Sequence, residues 1–252
     1  MAVEAARAGS QRLLDIGLGA RPAEFKARGD YVTQADRESE HAIMEVLARL
    51  CPGVSILAEE TGGTAQPTMW AVDPLDGTTN YSRGIPVAAV SVALIEAGQP
   101  VLGVIIAPWL GLEFSAARGR GAELNGVPLP PLGPGDPERS VLATGFPFRR
   151  RQRLPQYLPL ARAALDRFED LRRTGSAALD LAWTASGSLD GYFELDLRIW
   201  DLAAGALLVQ EVGGHVTDWS GGQAWTSTGD VLAAPAAVHE VLLELAREPA
   251  QG

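Results

Sequence analysis

The sequence predicts a layered α/β protein in two halves, with helices packed on sheets, and three observations carry that expectation. Helix-period and strand-like segments alternate along most of the chain, the pattern from which layered architectures are built. Residues 128–137 hold five prolines and two glycines, a linker composition that marks a boundary. Three separate apolar elements each end in carboxylates, at the strand ends and helix starts where α/β proteins build sites. The expected domains are therefore residues 1–133, an α+β half, and residues 134–252, an α/β half.

The elements follow in order. Residues 3–18 and 34–50 have helical periodicity, the second stopped by Pro52 and Gly53. Residues 54–58 and 69–72 read as short buried strands, and 87–95 and 101–106 as a strand pair joined through Ala97, Gly98, Gln99 and Pro100. Strand signals continue to about residue 127. Beyond the linker, helical patterns at 154–168, 176–186, 201–212 and 235–247 alternate with strand-like 141–144, 192–195 and 214–218. There is no internal repeat and no heptad run.

Composition narrows the function. With 21 basic and 31 acidic residues the net charge is −10, which disfavours direct nucleic-acid binding, since phosphate contacts need clustered Lys and Arg. A single Cys51 excludes an internal disulfide and a multi-thiolate zinc site; it reads as a helix-end core residue. No stretch approaches the roughly 18 apolar residues of a membrane helix. Residues 1–19 carry Glu4, Arg7, Arg12 and Asp15 at helical spacing, unlike a secretory signal. The expected location is the cytoplasm, with no membrane association.

The densest chemical signal is Trp70, Ala71, Val72, Asp73, Pro74, Leu75, Asp76, Gly77, Thr78, Thr79, Asn80. On a continuous strand Asp73 and Asp76 would face opposite sides, but Pro74 breaks the ladder and allows a turn that gathers them. Mg²⁺ takes carboxylates, carbonyls and waters, so the Leu75 carbonyl is a third candidate ligand. Gly77 lets the backbone come close, and the N–H groups of Gly77 and Thr78 would face an anion if Thr78 opens a helical turn. Taken alone, Asp73 to Gly77 reads equally well as an ordinary turn. Glu59 and Glu60 after residues 54–58, and Asp201 before an apolar helix, shift the balance toward a shared site. Individually Asp201 reads as a helix N-cap and the glutamates as solvated loop charges.

The order and spacing of several segments resemble the inositol monophosphatase family of Mg²⁺-dependent, lithium-sensitive phosphatases, over nearly the full length. The segments are Gly29, Asp30, Tyr31, Val32, Thr33, Gln34, Ala35, Asp36; Ile56, Leu57, Ala58, Glu59, Glu60; residues 70–80; Gly175, Ser176, Ala177, Ala178; Asp190, Gly191, Tyr192, Phe193, Glu194; and Trp200, Asp201, Leu202, Ala203, Ala204, Gly205. Ala58, where the family usually has Gly, is a departure, as is the short loop 61–68. A haloacid-dehalogenase reading fails because two residues, not one, separate Asp73 and Asp76.

The resemblance implies a layered αβαβα sandwich with an N-terminal α+β metal-binding half, a C-terminal α/β half, and the site between them. It implies two or three Mg²⁺ per site: one on Glu59, Asp73 and the Leu75 carbonyl, a second on Asp73, Asp76 and Asp201, and a weaker third on Glu59. Catalysis would fall to Asp36, Thr78 and Glu59, with Asp36 and Thr78 orienting the attacking water; alone, Asp36 reads as a first-turn helix acid. Substrate contacts would come from Asp76, Gly77, Thr78, Ala177, Glu194 and Asp201. Lys26, Gly29 and Asp30 would lie on a mobile loop. The implied reaction is hydrolysis of a small polyol or sugar phosphate, inositol 1-phosphate first. Fructose 1,6-bisphosphate, histidinol phosphate, 3′-phosphoadenosine 5′-phosphate and NADP are the superfamily alternatives, and a noncatalytic interaction protein is the alternative from another class. A homodimer is the family expectation.

Other features read more blandly. His41, His215 and His239 sit on separate elements without ligand spacing. The basic run Arg149, Arg150, Arg151, Gln152, Arg153 reads as a solvated face, with a phosphate-steering or partner role left open by its place soon after the linker, and Trp109, Trp183, Trp219 and Trp225 read as core or interface. Asp180 and Asp190 read as a helix cap and a turn residue. Arg198 could meet a second phosphate, serve a dimer contact or stand in solvent.

Overall fold

The computed structural model describes residues 1–19, 24–27, 30–148 and 150–247. The chain opens with helix α1 (Ala2–Ile16), strands β1 (Glu24–Ala27) and β2 (Asp30–Val32), and helix α2 (Gln34–Leu50). Strands β3 (Ser55–Ala58) and β4 (Thr68–Asp76) lead into the short helix α3 (Thr78–Ser82). An antiparallel meander follows: β5 (Ala89–Glu96), β6 (Gln99–Ala107), β7 (Leu112–Ala117), β8 (Ala122–Leu124) and β9 (Val127–Pro128). After the proline-rich segment come β10 (Val141–Thr144), α4 (Leu154–Arg167), β11 (Asp170–Arg172), α5 (Ala177–Ser186), β12 (Gly191–Glu194) and α6 (Ile199–Glu211). The chain closes with β13 (His215–Thr217), α7 (Trp225–Thr228), β14 (Val231–Ala234) and α8 (Ala236–Arg247).

Strands β3 to β9 form a seven-stranded sheet in sequence order, and the second sheet has the order β11-β10-β12-β14-β13. Side chains alternate across β4 and β5. Trp70, Val72, Val90 and Val92 point to one face, where Leu13 of α1 and Ile43 and Leu47 of α2 cover them. Ala71, Ala89, Ala93 and Ile95 point to the other, against α5 and α6. With both faces covered, the strands read as continuous apolar runs rather than alternating ones. Helix α6 comes unusually near the sheet, since a Cβ on Gly103 would stand 2.9 Å from the Ala204 backbone.

The opposite side of α5 and α6 meets Ala143, Tyr192, Val231 and Ala233 of the second sheet. Its outer face carries Leu142, Phe193, Leu232 and Ala234 against Tyr157 and Leu160 of α4 and Val238 and Leu242 of α8. The result is the αβαβα sandwich: α1 and α2, sheet, α5 and α6, sheet, α4 and α8.

Several element boundaries differ from the sequence expectation. β4 continues past Val72 to Asp76, with Pro74 inside it at an irregularity in the pairing. The β5–β6 connection is a two-residue turn, Ala97 and Gly98, with φ of 49° and 76°, the left-handed pair that suits a hairpin; Gln99 and Pro100 belong to β6. Among the elements absent from the sequence expectation are β11 and β14. The first is a three-residue polar edge strand, and the second a four-residue apolar run that periodicity alone cannot assign. The histidines lie on separate elements, and β13 and α8 bring the His215 and His239 rings to 5.5 Å, with His239 Nε2 2.9 Å from Thr217 Oγ1.

Candidate active site

The pairing of β4 with β5 explains how two aspartates three residues apart share a side. Asp73 pairs with Ser91 and Asp76 with Ala89, so three steps on β4 span two on β5. One inserted residue turns the odd separation into an even one, the ordinary consequence of a bulge. Pro74, which has no N–H to give the ladder, sits in this bulge. The Leu75 N–H donates to Asp73 Oδ1 at 2.9 Å, and Ser39 Oγ donates to the Pro74 carbonyl at 2.9 Å, fixing the bulge against α2.

Gly77, at φ 88°, turns the chain from β4 into α3. A Cβ there would stand 2.8 Å from the Val87 carbonyl oxygen, so both conformation and space require glycine. Thr78 Oγ1 lies 3.0 Å from Asp36 Oδ1 and 3.0 Å from the Leu75 carbonyl oxygen; its single proton serves one of them at a time. Asp36 has a local role too. Its Oδ2 accepts from the Thr33 N–H at 2.7 Å and Thr33 Oγ1 at 2.5 Å in a capping box at the start of α2. Asp36 thus caps the helix with one oxygen and meets Thr78 with the other. Burial pushes its carboxyl up to about 6, against the lowering effect of the Thr33 hydrogen bonds.

Glu59 follows β3, and its N–H donates to the Val72 carbonyl at 3.1 Å. The next two residues are held from α2: Glu40, buried, accepts from the Glu60 and Thr61 N–H groups, each at 2.9 Å. The sequence signal for Glu40 was its place on the apolar side of α2, with Ile43 and Leu47, where a surface acid does not belong.

The second half supplies the rest. Asp76 Oδ2 accepts from Ser176 Oγ at 2.6 Å and from the Ala178 N–H at 2.7 Å, at the start of α5. Asp201 lies in the first turn of α6, where its Oδ2 accepts from the Arg198 N–H at 2.7 Å; Arg198, not Asp201, is the N-cap residue. Tyr192 OH donates to Glu194 Oε2. Asp180 is not the cap of α5 either, since Ser176 takes that place. Asp180 is buried and accepts from Thr174 Oγ1 at 2.6 Å, while Asp190 accepts from the Val141 N–H at 2.9 Å and ties two strands.

These groups border one cleft of about 460 Å³. Glu59, Asp73, Leu75, Asp76, Gly77, Thr78, Ala177, Glu194 and Asp201 all line it; Asp36 reaches it through Thr78. One carboxylate oxygen from each of Glu59, Asp73 and Asp201 lies within 4.8 Å of the others. Burial, then the charges of Glu59, Asp76 and Asp201, hold the Asp73 carboxyl well above its ordinary range. Burial likewise pushes Glu194 up to about 7. Oxygen donors crowded to mutual repulsion suit a hard divalent cation, which would neutralise them. Among the described residues, Glu59, Asp73 and Asp201 form the acidic group that could hold a metal ion.

The loop residues Lys26 and Asp30 fall on β1 and β2, and Gly29 lies outside the described residues, as does Arg149. In the rest of the basic run Arg150, Arg151 and Gln152 are exposed, as expected of a solvated face, and Arg153 is half-buried. Arg150 pairs with Asp196 at 3.0 Å, Arg153 pairs with Asp230 at 2.6 Å, and Arg151 lines the cleft. Arg198 is exposed and away from the cleft lining, where the cations are Arg151 and Arg173.

Fold and cleft together define an αβαβα sandwich protein with a candidate divalent-cation site in its cleft. The sequence model of the inositol monophosphatase family matches residues 2–251, and the chain belongs to that family. It is 41% identical over 229 residues to the Nus factor SuhB of Escherichia coli K12, covering 90% of this chain and 86% of that protein. It is also 41% identical over 228 residues to an inositol-1-monophosphatase of Mesorhizobium japonicum, covering 89% and 86%. The crystal structure of the extragenic suppressor protein SuhB from Bartonella henselae superposes with a TM-score of 0.90 at 38% identity, covering 98% of this chain and 97% of that one. Among the described residues no helix is long and apolar enough to cross a membrane.

Proposed function

We propose that the chain is a Mg²⁺-dependent phosphoric monoester hydrolase acting on a small polyol or sugar phosphate, inositol 1-phosphate first among them. The observation that carries the reading is the convergence of Glu59, Asp73 and Asp201 from three elements within 4.8 Å. Glu59, Asp73, Asp76, Asp201 and the Leu75 carbonyl would hold two or three cations. Bound Mg²⁺ would polarise the phosphoryl group and stabilise the attacking and leaving oxygens. Ionised Asp36 takes the Thr78 hydroxyl proton in a hydrogen bond, which leaves the Thr78 lone pairs to orient an attacking water. Gly77, lacking a side chain, lets the phosphate approach the backbone. Glu194, with one oxygen held by Tyr192, accepts from a substrate hydroxyl, and Ala177 forms the adjacent wall.

On this reading residues 1–133 form the metal-binding domain and residues 134–252 complete it through Asp76's partners and Asp201. The protein would act in the cytoplasm as a homodimer, without binding nucleic acid directly. Asp76→Asn tests the assignment. Phosphate release from inositol 1-phosphate should fall by at least about 10²-fold, the scale of lost electrostatic stabilisation, while the circular dichroism spectrum is kept. Near-normal turnover overturns it.

The Escherichia coli relative's designation as a Nus factor favours a second reading, an interaction protein of the transcription machinery on the same fold. Phosphate release measured with and without Mg²⁺ separates the two. Release that is absent across inositol 1-phosphate, fructose 1,6-bisphosphate, histidinol phosphate, NADP and 3′-phosphoadenosine 5′-phosphate supports the interaction protein.

A further inference from the structure

The connection from β11 into α5, residues 173–176, borders the cleft yet has little apolar anchorage. β11 is a three-residue edge strand with Asp170 and Arg172 exposed, and Gly175 turns at φ 97°. Thr174, half-buried and outside the lining of the cleft, is held at both of its polar groups. Its carbonyl accepts from Asn80 Nδ2 at 2.9 Å, and its hydroxyl donates to Asp180 Oδ1 at 2.6 Å. Asn80 Nδ2 also donates to the Val87 carbonyl at 2.8 Å, one N–H of the amide for each carbonyl. Asp180 is only 2% exposed, so the Thr174 hydroxyl meets a fixed acceptor rather than a mobile surface acid.

What this clip holds together matters more than the clip. Asn80 lies on α3, the helix that starts at the Gly77 turn. A Cβ on Gly77 would be 3.3 Å from the Gly175 carbonyl oxygen, and a Cβ on Gly175 would be 2.9 Å from Asn80 Nδ2, so the two glycine turns pack directly on each other. Just past Gly175, Ser176 Oγ and the Ala178 N–H hold Asp76, and Ala177 faces the cleft. The bonds to Thr174 therefore fix the distance from the turn assigned to the phosphate to the wall assigned to the alcohol. A displacement of about 1 Å between such surfaces can cost about 10²-fold in rate.

We propose that Thr174, clipped between Asn80 and Asp180, is a positioning residue that sets the spacing between the Gly77 turn and the Ala177 wall. It governs how the ester's alcohol is aligned over the phosphate without touching either. The inference rests on the phosphatase reading and deepens it, since it assigns the alignment of the leaving group to a joint behind the cleft wall.

The test compares the wild type with Thr174→Val, which keeps the shape and loses the hydroxyl, and Thr174→Ser, which keeps the hydroxyl. Thr174→Ala repeats the comparison without pressing a methyl onto Asp180, so a valine variant that misfolds leaves the test intact. Turnover of inositol 1-phosphate with Mg²⁺ is measured beside inhibition by inorganic phosphate, a ligand with no alcohol to align. Thr174→Val should lower kcat/KM about ten-fold, part of the cost of a full misplacement, while the inhibition constant of phosphate changes by less than about two-fold. Thr174→Ser should restore turnover. Amide hydrogen exchange over residues 174–178 should quicken in Thr174→Val and return to the wild-type rate in Thr174→Ser. Equal losses for ester and phosphate, or an unchanged kcat/KM in Thr174→Val, overturn the joint and leave the phosphatase reading standing. A wild type that releases no phosphate, with exchange quickened by valine and restored by serine, leaves the joint standing and overturns the phosphatase reading.

Discussion

Asp36→Asn separates the structural and chemical work of one carboxylate. Its carboxyl is raised from 3.8 to about 6, chiefly by burial. A carboxylic acid that holds its proton more tightly when folded stabilises the fold below its unfolded value, and that stability is lost as pH rises from 3.8 through about 6. At roughly 1.4 kcal/mol per unit, two units put the cost of the ionised form near 3 kcal/mol at pH 7. Asparagine carries no such titration and can still accept from the Thr33 N–H through its carbonyl oxygen. In metal-free protein, urea unfolding should show the variant gaining about 3 kcal/mol relative to wild type between about pH 4 and pH 7. Turnover should move the other way. Losing an acceptor for the Thr78 hydroxyl should lower kcat about 10²-fold or more, on the scale of general acid–base contributions. A wild-type-minus-variant stability difference that stays flat with pH would refute the burial argument, and turnover within about ten-fold of wild type would refute the role given to Asp36.

Three further outcomes are expected. Mg²⁺ should raise the melting temperature of the wild type in differential scanning calorimetry, by the equivalent of about 2.7 kcal/mol at a hundred times its dissociation constant; Asp201→Asn should blunt that rise while stabilising the metal-free protein, because Asp73 loses a neighbouring charge. Absence of a Mg²⁺ shift in the wild type would count against the cation site. Glu40→Gln replaces one acceptor oxygen beneath Glu60 and Thr61 by an amide donor, and it should weaken apparent Mg²⁺ affinity about ten-fold, as when a supporting partner is lost, with kcat at saturating Mg²⁺ less affected. Unchanged affinity would show that the loop holds itself. Gly77→Ala forces a Cβ to 2.8 Å from the Val87 carbonyl oxygen at φ 88° and should destabilise by at least about 1 kcal/mol as well as abolish turnover; a thermal midpoint equal to wild type argues against the tight turn.

What the sequence made legible was local, and what it hid was produced by long-range contact. α2 ends where Pro52 and Gly53 say it should, and β10 occupies the residues its apolar run marks, because capping chemistry and apolar period act over a few residues. The bulge at Pro74 shows the limit. Proline announces an interruption, but only the pairing of Asp73 with Ser91 and Asp76 with Ala89 shows that one extra residue places both acids on one side. The arginines show it again. Arg150 stays exposed beside Asp196, but nothing near Arg153 in the sequence announces Asp230, 77 residues on, which draws it out of the solvated run. The partners of Glu40 are hidden for the same reason, and the segment holding Ser176 does not mark that residue's own role, since each acts on a partner at least 20 residues away. The acids themselves could be read because mutual repulsion is a property of residue type, whereas the groups that hold them still are neutral hydroxyls, amides and one buried carboxylate. A candidate cation site therefore shows first as its charges, and the scaffold that fixes their geometry becomes visible only in the folded chain.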